Sequence, residues 1–144
     1  MTPRVVMDAD QLVANILYPR GEVGATILQN WHSGLFDLVI CPSLIRNVKT
    51  LVHSRYIKRG QPFGSNRLGT VFERIRRFTF YIDDPPGSFR DRGAGVNYVS
   101  LAVAAGAGFL VTANQNLLGM VVCDGCIILT PAHFAATCLT LAPS

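Results

Sequence analysis

The chain has 144 residues, 49% of them hydrophobic, and a mean hydropathy of +0.31, which suits one globular domain with its own core and excludes a disordered chain. Lys and Arg total 13 and Asp and Glu total 9, a net charge of +4. Nine basic residues and one acid lie within residues 46–77, so this stretch carries +8. Such a stretch favours binding of a polyanion such as RNA, and a solvated helical face is an equally good interpretation.

Strands and helices are predicted to alternate along the first half of the chain. Residues 4–7 are typical of a short buried strand, and apolar residues then recur at helical spacing up to Leu17. The pattern next predicts a helix over 22–32, a strand over 36–41, and a helix that opens at Pro42 and Ser43. A loop is expected at 60–65.

The second half continues this alternation. The predicted elements are a helix marked by Leu68, Val71, Phe72 and Ile75, a strand over 78–82, a helix over 96–105, a strand over 109–112, a loop over 113–116, a strand over 126–129 and a last helix from Pro131. Alternating strands and helices predict an α/β fold in one domain spanning residues 1–144. Its central, mostly parallel sheet would be flanked by helices in three layers.

No segment is typical of a membrane span or an export signal. The longest wholly apolar run, 101–111, is too short to cross a bilayer, and charged residues interrupt the N-terminal apolar stretch. We therefore expect a cytoplasmic protein without membrane association whose cysteines are reduced. Cys123 and Cys126 form a C-x-x-C pair, but neither a second pair nor a histidine cluster completes a zinc site.

Polar side chains follow the predicted strand ends. In open parallel sheets, ligands bind beyond the carboxyl ends of the strands, so these side chains could converge on one polar cleft. Other roles are open for each of them: an aspartate can cap a helix, and an asparagine can form a turn or be a satisfied buried amide. The candidates are Asp8, Asp10, Asn47, Thr112, Asn114 and Asn116.

Four segments resemble the PIN-domain family. Residues 4–13 are similar to its opening strand and the Asp-Thr-Asn-x-Leu that follows, and residues 38–44 to its second strand and helix. Residues 102–118 resemble its A-x-x-x-G-A-x-x-L-V-T-x-D-x-D-L-L signature, and residues 127–134 its closing strand and helix. The matches span nearly the whole chain in the right order. The chain is most similar to the toxin-like branch of bacterial toxin–antitoxin systems.

The resemblance implies a function as well as a fold. PIN-domain toxins are endoribonucleases that hydrolyse phosphodiesters of single-stranded RNA, with about four acidic residues holding Mg²⁺ or Mn²⁺. A protein of this type is expected to bind RNA and an antitoxin-like protein, and to form a homodimer.

Carried over residue by residue, most of the family's acids are replaced. The family's first Asp is kept as Asp8, and its signature threonine is kept as Thr112. Its supporting Asn becomes Asp10, its helix Glu falls on Asn47, the Asp before the 96–105 helix falls near Gly95 and Val96, and its last two Asp residues fall on Asn114 and Asn116.

Asp91, in the loop before the 96–105 helix, is a further supporting candidate. With so few acids, Mg²⁺ or Mn²⁺ should bind weakly or not at all through Asp8 and Asp10, and hydrolysis should be weak or absent. The alternative is a non-catalytic module that binds RNA or an antitoxin-like partner. Arg74 and Arg77, which share one helical face, are the best candidates for contacts with RNA.

Overall fold

The computed structural model of the chain describes residues 2–54, 79–85, 97–120, 122–123 and 125–141. In this part of the chain, six strands form one sheet in the order β3-β2-β1-β4-β6-β5. The strands are β1 (Arg4–Met7), β2 (Asp37–Ile40), β3 (Thr79–Tyr81), β4 (Phe109–Val111), β5 (Val122–Cys123) and β6 (Cys126–Leu129). All neighbouring pairs are parallel except β5 and β6, so the predicted mostly parallel sheet is confirmed.

Helices cover both faces of the sheet, and the predicted three-layer α/β architecture is confirmed. The helices among the described residues are α1 (Ala9–Leu12), which continues as a π-helical turn over Val13–Leu17, α2 (Gly21–His32), α3 (Pro42–Val52), α4 (Tyr98–Ala105), α5 (Gln115–Leu118) and α6 (Pro131–Leu141). Helix α4 ends at Gly106, whose φ of 62° is the left-handed conformation that glycine adopts easily. None of the helices in the described ranges has the length and apolar character needed to span a membrane.

The core between α2, α6 and the sheet is built on aromatic side chains. The ring of Phe134 lies edge-on to Phe36, with centroids 5.1 Å apart, and 5.6 Å from the ring of Phe109. Trp31 on α2 is also buried, as expected for the apolar face of an amphipathic helix. These contacts fix α6 against the sheet, and α2 packs beside it.

The central position of β1 determines which residues meet at the carboxyl edge. Met7 is the register partner of Val111, and the Asp8 N–H donates to the Val111 carbonyl at 3.2 Å. The residues that follow β1 and β4 are therefore neighbours. On the other side of β1, Ile40 of β2 is the register partner of Tyr81 of β3, which brings the start of α3 beside the end of β3.

Two predictions of local structure differ from the structure. The loop predicted over 113–116 is wrong at its end, because Gln115 begins the short helix α5. Strand β5 was not predicted. Cys123 and Cys126 are register partners across the turn between β5 and β6, and Cys126 is buried. The predicted loop over 60–65 and the helix marked by residues 68–75 lie outside the described residues.

Candidate functional site

The first part of the site is the contact between Asp8 and Thr112. Each residue directly follows a central strand, and the parallel register of β1 and β4 places them side by side. Asp8 Oδ2 accepts a hydrogen bond from the Thr112 hydroxyl at 2.6 Å, and Asp8 Oδ1 accepts the Gln11 N–H at 2.8 Å. Thr112 is fully buried and Asp8 is 8% exposed. Asp8 is thus the N-cap of α1, and both of its oxygens already have a partner from the chain.

Burial dominates the electrostatics of Asp8. Removal from water raises the pKa of its carboxyl above the ordinary value, and the negative charge of nearby Asp10 adds to this effect. The hydrogen bonds from Thr112 and from the Gln11 and Ala113 amides lower the pKa but do not offset the burial. The environment therefore disfavours a negative charge on the only acid that the family pattern retains.

The second part of the site is Tyr98, the first residue of α4. Tyr98 was not predicted from the sequence as a site residue. Its hydroxyl oxygen accepts the Ala9 N–H at 2.9 Å, and the Asn47 side chain of α3 reaches the same hydroxyl. Burial, together with the negative charge of Asp8, raises the pKa of Tyr98 to about 12, so the phenol stays protonated and neutral. One signal was available in the sequence: Tyr98 is the only large polar side chain in a helix that is otherwise small or aliphatic.

The third part of the site is the turn after β4. The Asn114 N–H donates to Thr112 Oγ1 at 3.0 Å, which extends the hydrogen-bonded chain that begins at Asp8. Asn114 Oδ1 accepts the Asn116 N–H at 2.9 Å and the Leu117 N–H at 3.4 Å, so Asn114 is the N-cap of α5. Asn116 contributes its backbone N–H here, and both asparagines are exposed.

The structure therefore brings Asp8, Thr112 and Asn114 into one hydrogen-bonded chain, with Asn47 joined to it through Tyr98 and the Ala9 amide. Asp10 is an exposed residue of α1 whose charge acts on both Asp8 and Tyr98. The other predicted functional residues lie outside the described residues: Asp91, Arg74 and Arg77, together with Gly95 and Val96.

A second polar cluster, also absent from the sequence predictions, lies at the ends of β2 and β3. Asp84 Oδ1 accepts the Ser43 N–H at 3.0 Å and Oδ2 accepts the Ser43 hydroxyl at 2.6 Å, so Asp84 caps α3 from a distant part of the chain. The Arg46 guanidinium donates to Ser43 Oγ at 2.6 Å and lies 3.7 Å from Asp84 Oδ2. The available signal was an aspartate shortly after a predicted strand.

The two clusters differ in charge. Partial burial pushes the pKa of Asp84 up, but the hydrogen bonds from Ser43, a contact with the Cys41 thiol and the positive charge of Arg46 together hold that pKa below its ordinary value. Burial, with Asp84 nearby, raises the pKa of Cys41 to about 11, so this thiol is neutral and poorly nucleophilic.

The residues present at the Asp8 cluster do not fit Mg²⁺ or Mn²⁺. These ions need several oxygen ligands with negative charge, and within the described ranges no three His, Cys, Asp or Glu side chains lie close enough to hold a metal ion. A neutral amide supplies no charge to replace the missing carboxylates.

An α/β sheet with polar residues at the carboxyl ends of its central strands is an architecture shared by many nucleotide- and nucleic acid-binding proteins. A PIN domain family profile matches residues 4–116 of the chain. The chain therefore belongs to the PIN domain family, whose members are nuclease-type proteins that generally depend on divalent metal ions.

The structure is similar to the crystal structure of PAE2754 from Pyrobaculum aerophilum, with a TM-score of 0.61 and 17% sequence identity. The similarity covers 96% of this chain and 90% of the other, and at this identity it shows the fold alone. No curated protein matches the chain at a significant level.

Proposed function

We propose that the chain is a PIN-fold module that binds single-stranded RNA and does not hydrolyse it through a bound divalent metal ion. The observation that carries the proposal is the state of the polar cluster around Asp8 at the carboxyl edge of the sheet. Asp8 keeps its place after β1, but its two oxygens are engaged by Gln11 and Thr112 instead of facing a group of further carboxylates. These residues can contact a ligand, but they lack the negative charge that is needed to hold a metal ion, and hydrolysis by a metal-activated water requires that ion.

RNA is the ligand class that the charge and side-chain chemistry favour. Helix α3 carries the exposed cations Arg46 and Lys49 on either side of Asn47, and it begins the +8 stretch of residues 46–77. Cations contact phosphates, and asparagine amides can pair with the edges of unstacked bases. Exposed Asn114 and Asn116 add two further amides after β4.

The competing proposal is a toxin-type endoribonuclease that cleaves single-stranded RNA with Mg²⁺ or Mn²⁺. Family membership supports it, and Asp8 with Asp10 would be its remaining acids. It requires that Asp8 and Asp10 hold the ion without a third acidic, His or Cys side chain close by among the described residues. The two proposals make opposite predictions about cleavage and about the effect of removing divalent ions.

The experiment uses the full chain with a fluorescently labelled single-stranded oligouridine. We expect anisotropy to show binding that weakens steeply as salt rises, because the cations release counterions condensed on phosphates. The affinity should be the same in Mg²⁺ and in EDTA, and the RNA should remain intact on a denaturing gel. Cleavage that requires Mg²⁺ and disappears in Asp8→Asn would establish the endoribonuclease instead.

A double change, Arg74→Ala with Arg77→Ala, should reduce the affinity and the salt dependence of binding. Arg20→Ala removes an arginine from outside the basic stretch and serves as the control. Equal effects of the two changes would mean that net charge alone, and not the 46–77 stretch, governs binding. Absence of RNA binding by the unchanged protein would remove the proposal.

Binding of a protein partner is a second candidate function, favoured by the surface of the C-terminal part of the chain. From Asn97 to Leu141 the sequence contains one residue among Asp, Glu, Lys and Arg, namely Asp124, and charged residues are depleted at the centres of protein interfaces. The exposed large hydrophobic residues of this part are Val103, Met120, Ile127 and Leu139. This surface could bind either of two partners, a second copy of the chain or an antitoxin-like protein.

Leu139 is 69% exposed on α6 and is the best position at which to test a homodimer. Analytical ultracentrifugation of Leu139→Lys should show a weaker dimer than the unchanged protein, and Tyr81→Lys, on the exposed edge of β3, is the control. A monomeric unchanged protein would leave only a different protein as partner.

A further inference from the structure

In the first turn of α1, side chains of the protein accept hydrogen bonds from two backbone N–H groups. The first N–H groups of a helix have no acceptor within the helix and are satisfied by side chains, water or ligands. Here Asp8 accepts the Gln11 N–H at 2.8 Å and Tyr98 accepts the Ala9 N–H at 2.9 Å. These two N–H groups at the helix start therefore have side-chain acceptors, one of them from a residue 89 positions away in the sequence.

Two hydroxyl groups, those of Tyr98 and Thr112, connect the elements around Asp8. The Tyr98 hydroxyl joins α4, on which it lies, to α1 through the Ala9 N–H, and the Asn47 side chain of α3 lies near it. The Thr112 hydroxyl joins the end of β4 to the end of β1 through Asp8, and it accepts the Asn114 N–H at the start of α5. The two hydroxyls thus connect segments that are distant in the sequence.

We infer that Tyr98 and Thr112 are positioning residues that hold the Asp8 cluster in shape by hydrogen bonds, so that the cluster keeps its geometry without a divalent metal ion. This role concerns only the contacts that hold the Asp8 cluster together, so it does not depend on whether the protein binds RNA.

The first test titrates the full-length protein with Mn²⁺ and follows backbone amide signals by NMR. Bound Mn²⁺ broadens signals of nearby groups strongly, so a site at Asp8 would erase the amides of Ala9, Gln11 and Ala113 first. We expect no selective broadening there, and no increase of the melting temperature in Mg²⁺ relative to EDTA. Selective broadening that Asp8→Asn abolishes would overturn the inference.

The second test removes the Tyr98 hydroxyl. In Tyr98→Phe, the Ala9 amide should exchange with solvent about tenfold faster, the effect of losing one hydrogen bond, while the Gln11 amide keeps its Asp8 acceptor and its protection. Tyr81→Phe is the matched control, because Tyr81 is 57% exposed on β3 and the same hydroxyl is lost. A general loss of stability would accelerate both amides equally. Unchanged exchange at Ala9 would contradict the role of Tyr98.

The third test applies to Thr112 and does not depend on the folding of Tyr98→Phe. Thr112→Ser keeps the hydroxyl and Thr112→Val keeps the shape without it. We expect the Asn114 amide to exchange about tenfold faster in Thr112→Val and at the normal rate in Thr112→Ser. Equal exchange in the two variants would show that the hydroxyl does not position this turn.

Discussion

Asp8 and Asp84 lie at the same edge of the sheet with the same kinds of hydrogen-bond partner, and their pKa values shift in opposite directions. Each accepts one backbone amide in the first turn of a helix and one side-chain hydroxyl at 2.6 Å, from Thr112 in one case and Ser43 in the other. Yet the pKa of Asp8 is raised and the pKa of Asp84 is lowered.

Burial and a cation account for the difference. Asp8 is buried and its charged neighbour is another acid, Asp10, whereas Asp84 is partly exposed and lies beside Arg46. Hydrogen bonds are therefore not enough to favour a charged carboxylate in a buried position; solvent and a positive charge decide it. Asp8, which the sequence predicted as a metal ligand, is thus the aspartate whose charge the structure disfavours.

The largest effect should come from restoring carboxylates around Asp8. In Asn47→Glu with Asn114→Asp, each new charge adds an attraction to a dication of several kcal/mol at an effective dielectric near 20, so we expect Mn²⁺ affinity to rise at least about tenfold. Isothermal titration calorimetry measures the change. The control adds the same charge elsewhere, at exposed positions of α2 and α6, with Gln29→Glu and Thr140→Asp. No gain, or an equal gain in the control, would mean that these positions do not surround one site.

A smaller effect, on stability, should follow from removing Asp8. Asp8→Ala leaves the buried Thr112 hydroxyl and the Gln11 amide without an acceptor, and we expect a loss of about 2–3 kcal/mol of unfolding free energy in urea denaturation. Asp8→Asn can still accept from Gln11 and can donate to Thr112 Oγ1, so its loss should stay below about 1 kcal/mol.

Asp10→Ala is the control for Asp8→Ala, since Asp10 is exposed on the same helix, and it should change stability by less than about 0.5 kcal/mol. If Asp8→Asn were as damaging as Asp8→Ala, the negative charge and not the hydrogen bonding of Asp8 would stabilise the fold. That result would make Asp8 resemble Asp84.

The part of the site that lies at strand ends could be predicted from the sequence. Asp8 and Thr112 are 104 residues apart, but both follow apolar runs typical of buried parallel strands, and carboxyl ends of such strands share one edge. The α/β class followed from the same alternation. The resemblance of residues 102–118 to a PIN signature added that Asn114 and Asn116 stand where acids are usual.

The sequence placed Asp84 after a predicted strand and Tyr98 in an otherwise small or aliphatic helix, but it did not show their partners, because these contacts depend on packing between segments. Tyr98 meets Ala9 across 89 residues, and Asp84 meets Ser43 across 41 residues. No periodicity or spacing encodes which side chain of a helix start reaches a neighbouring helix. Helix α5 is a different case, because its N-cap, Asn114, lies directly before it in the sequence. Asparagine is common both in turns and at helix N-caps, so Asn114 could also have been interpreted as the start of a helix.

A still smaller loss should result from Asp84→Ala, which removes the cap of α3. The Ser43 amide is then left without its acceptor, and we expect a cost of about 1–2 kcal/mol at neutral pH, as for other N-caps. Urea denaturation measures it, and Asp83→Ala, at the exposed neighbouring position, is the control. An unchanged stability would show that water replaces the cap fully.

The pH dependence of the two aspartates should have opposite signs. Because the folded pKa of Asp84 is lowered, its contribution is present above the unfolded pKa of about 3.9 and is lost as pH falls through the folded pKa. Because the folded pKa of Asp8 is raised, the stability associated with it is present below about pH 3.9 and is lost as pH rises through the folded value. Denaturation of Asp84→Ala and Asp8→Asn across this range should therefore show differences from the unchanged protein that move in opposite directions.

The smallest effect should come from Arg46, because its side chain is 68% exposed and its contact with Asp84 is 3.7 Å. Arg46→Gln should cost less than about 1 kcal/mol, as exposed ion pairs do, and the cost should shrink as salt screens the charge. Arg46→Lys keeps the charge and is the matched control. NMR titration should show the pKa of Asp84 rising in Arg46→Gln and remaining low in Arg46→Lys. If Arg46→Gln destabilised the protein as much as Asp84→Ala, the cation and not the Ser43 hydrogen bonds would hold the cap of α3. An unchanged Asp84 pKa in Arg46→Gln would instead show that solvent exposure and Ser43 suffice, which would leave burial as the factor that separates Asp84 from Asp8.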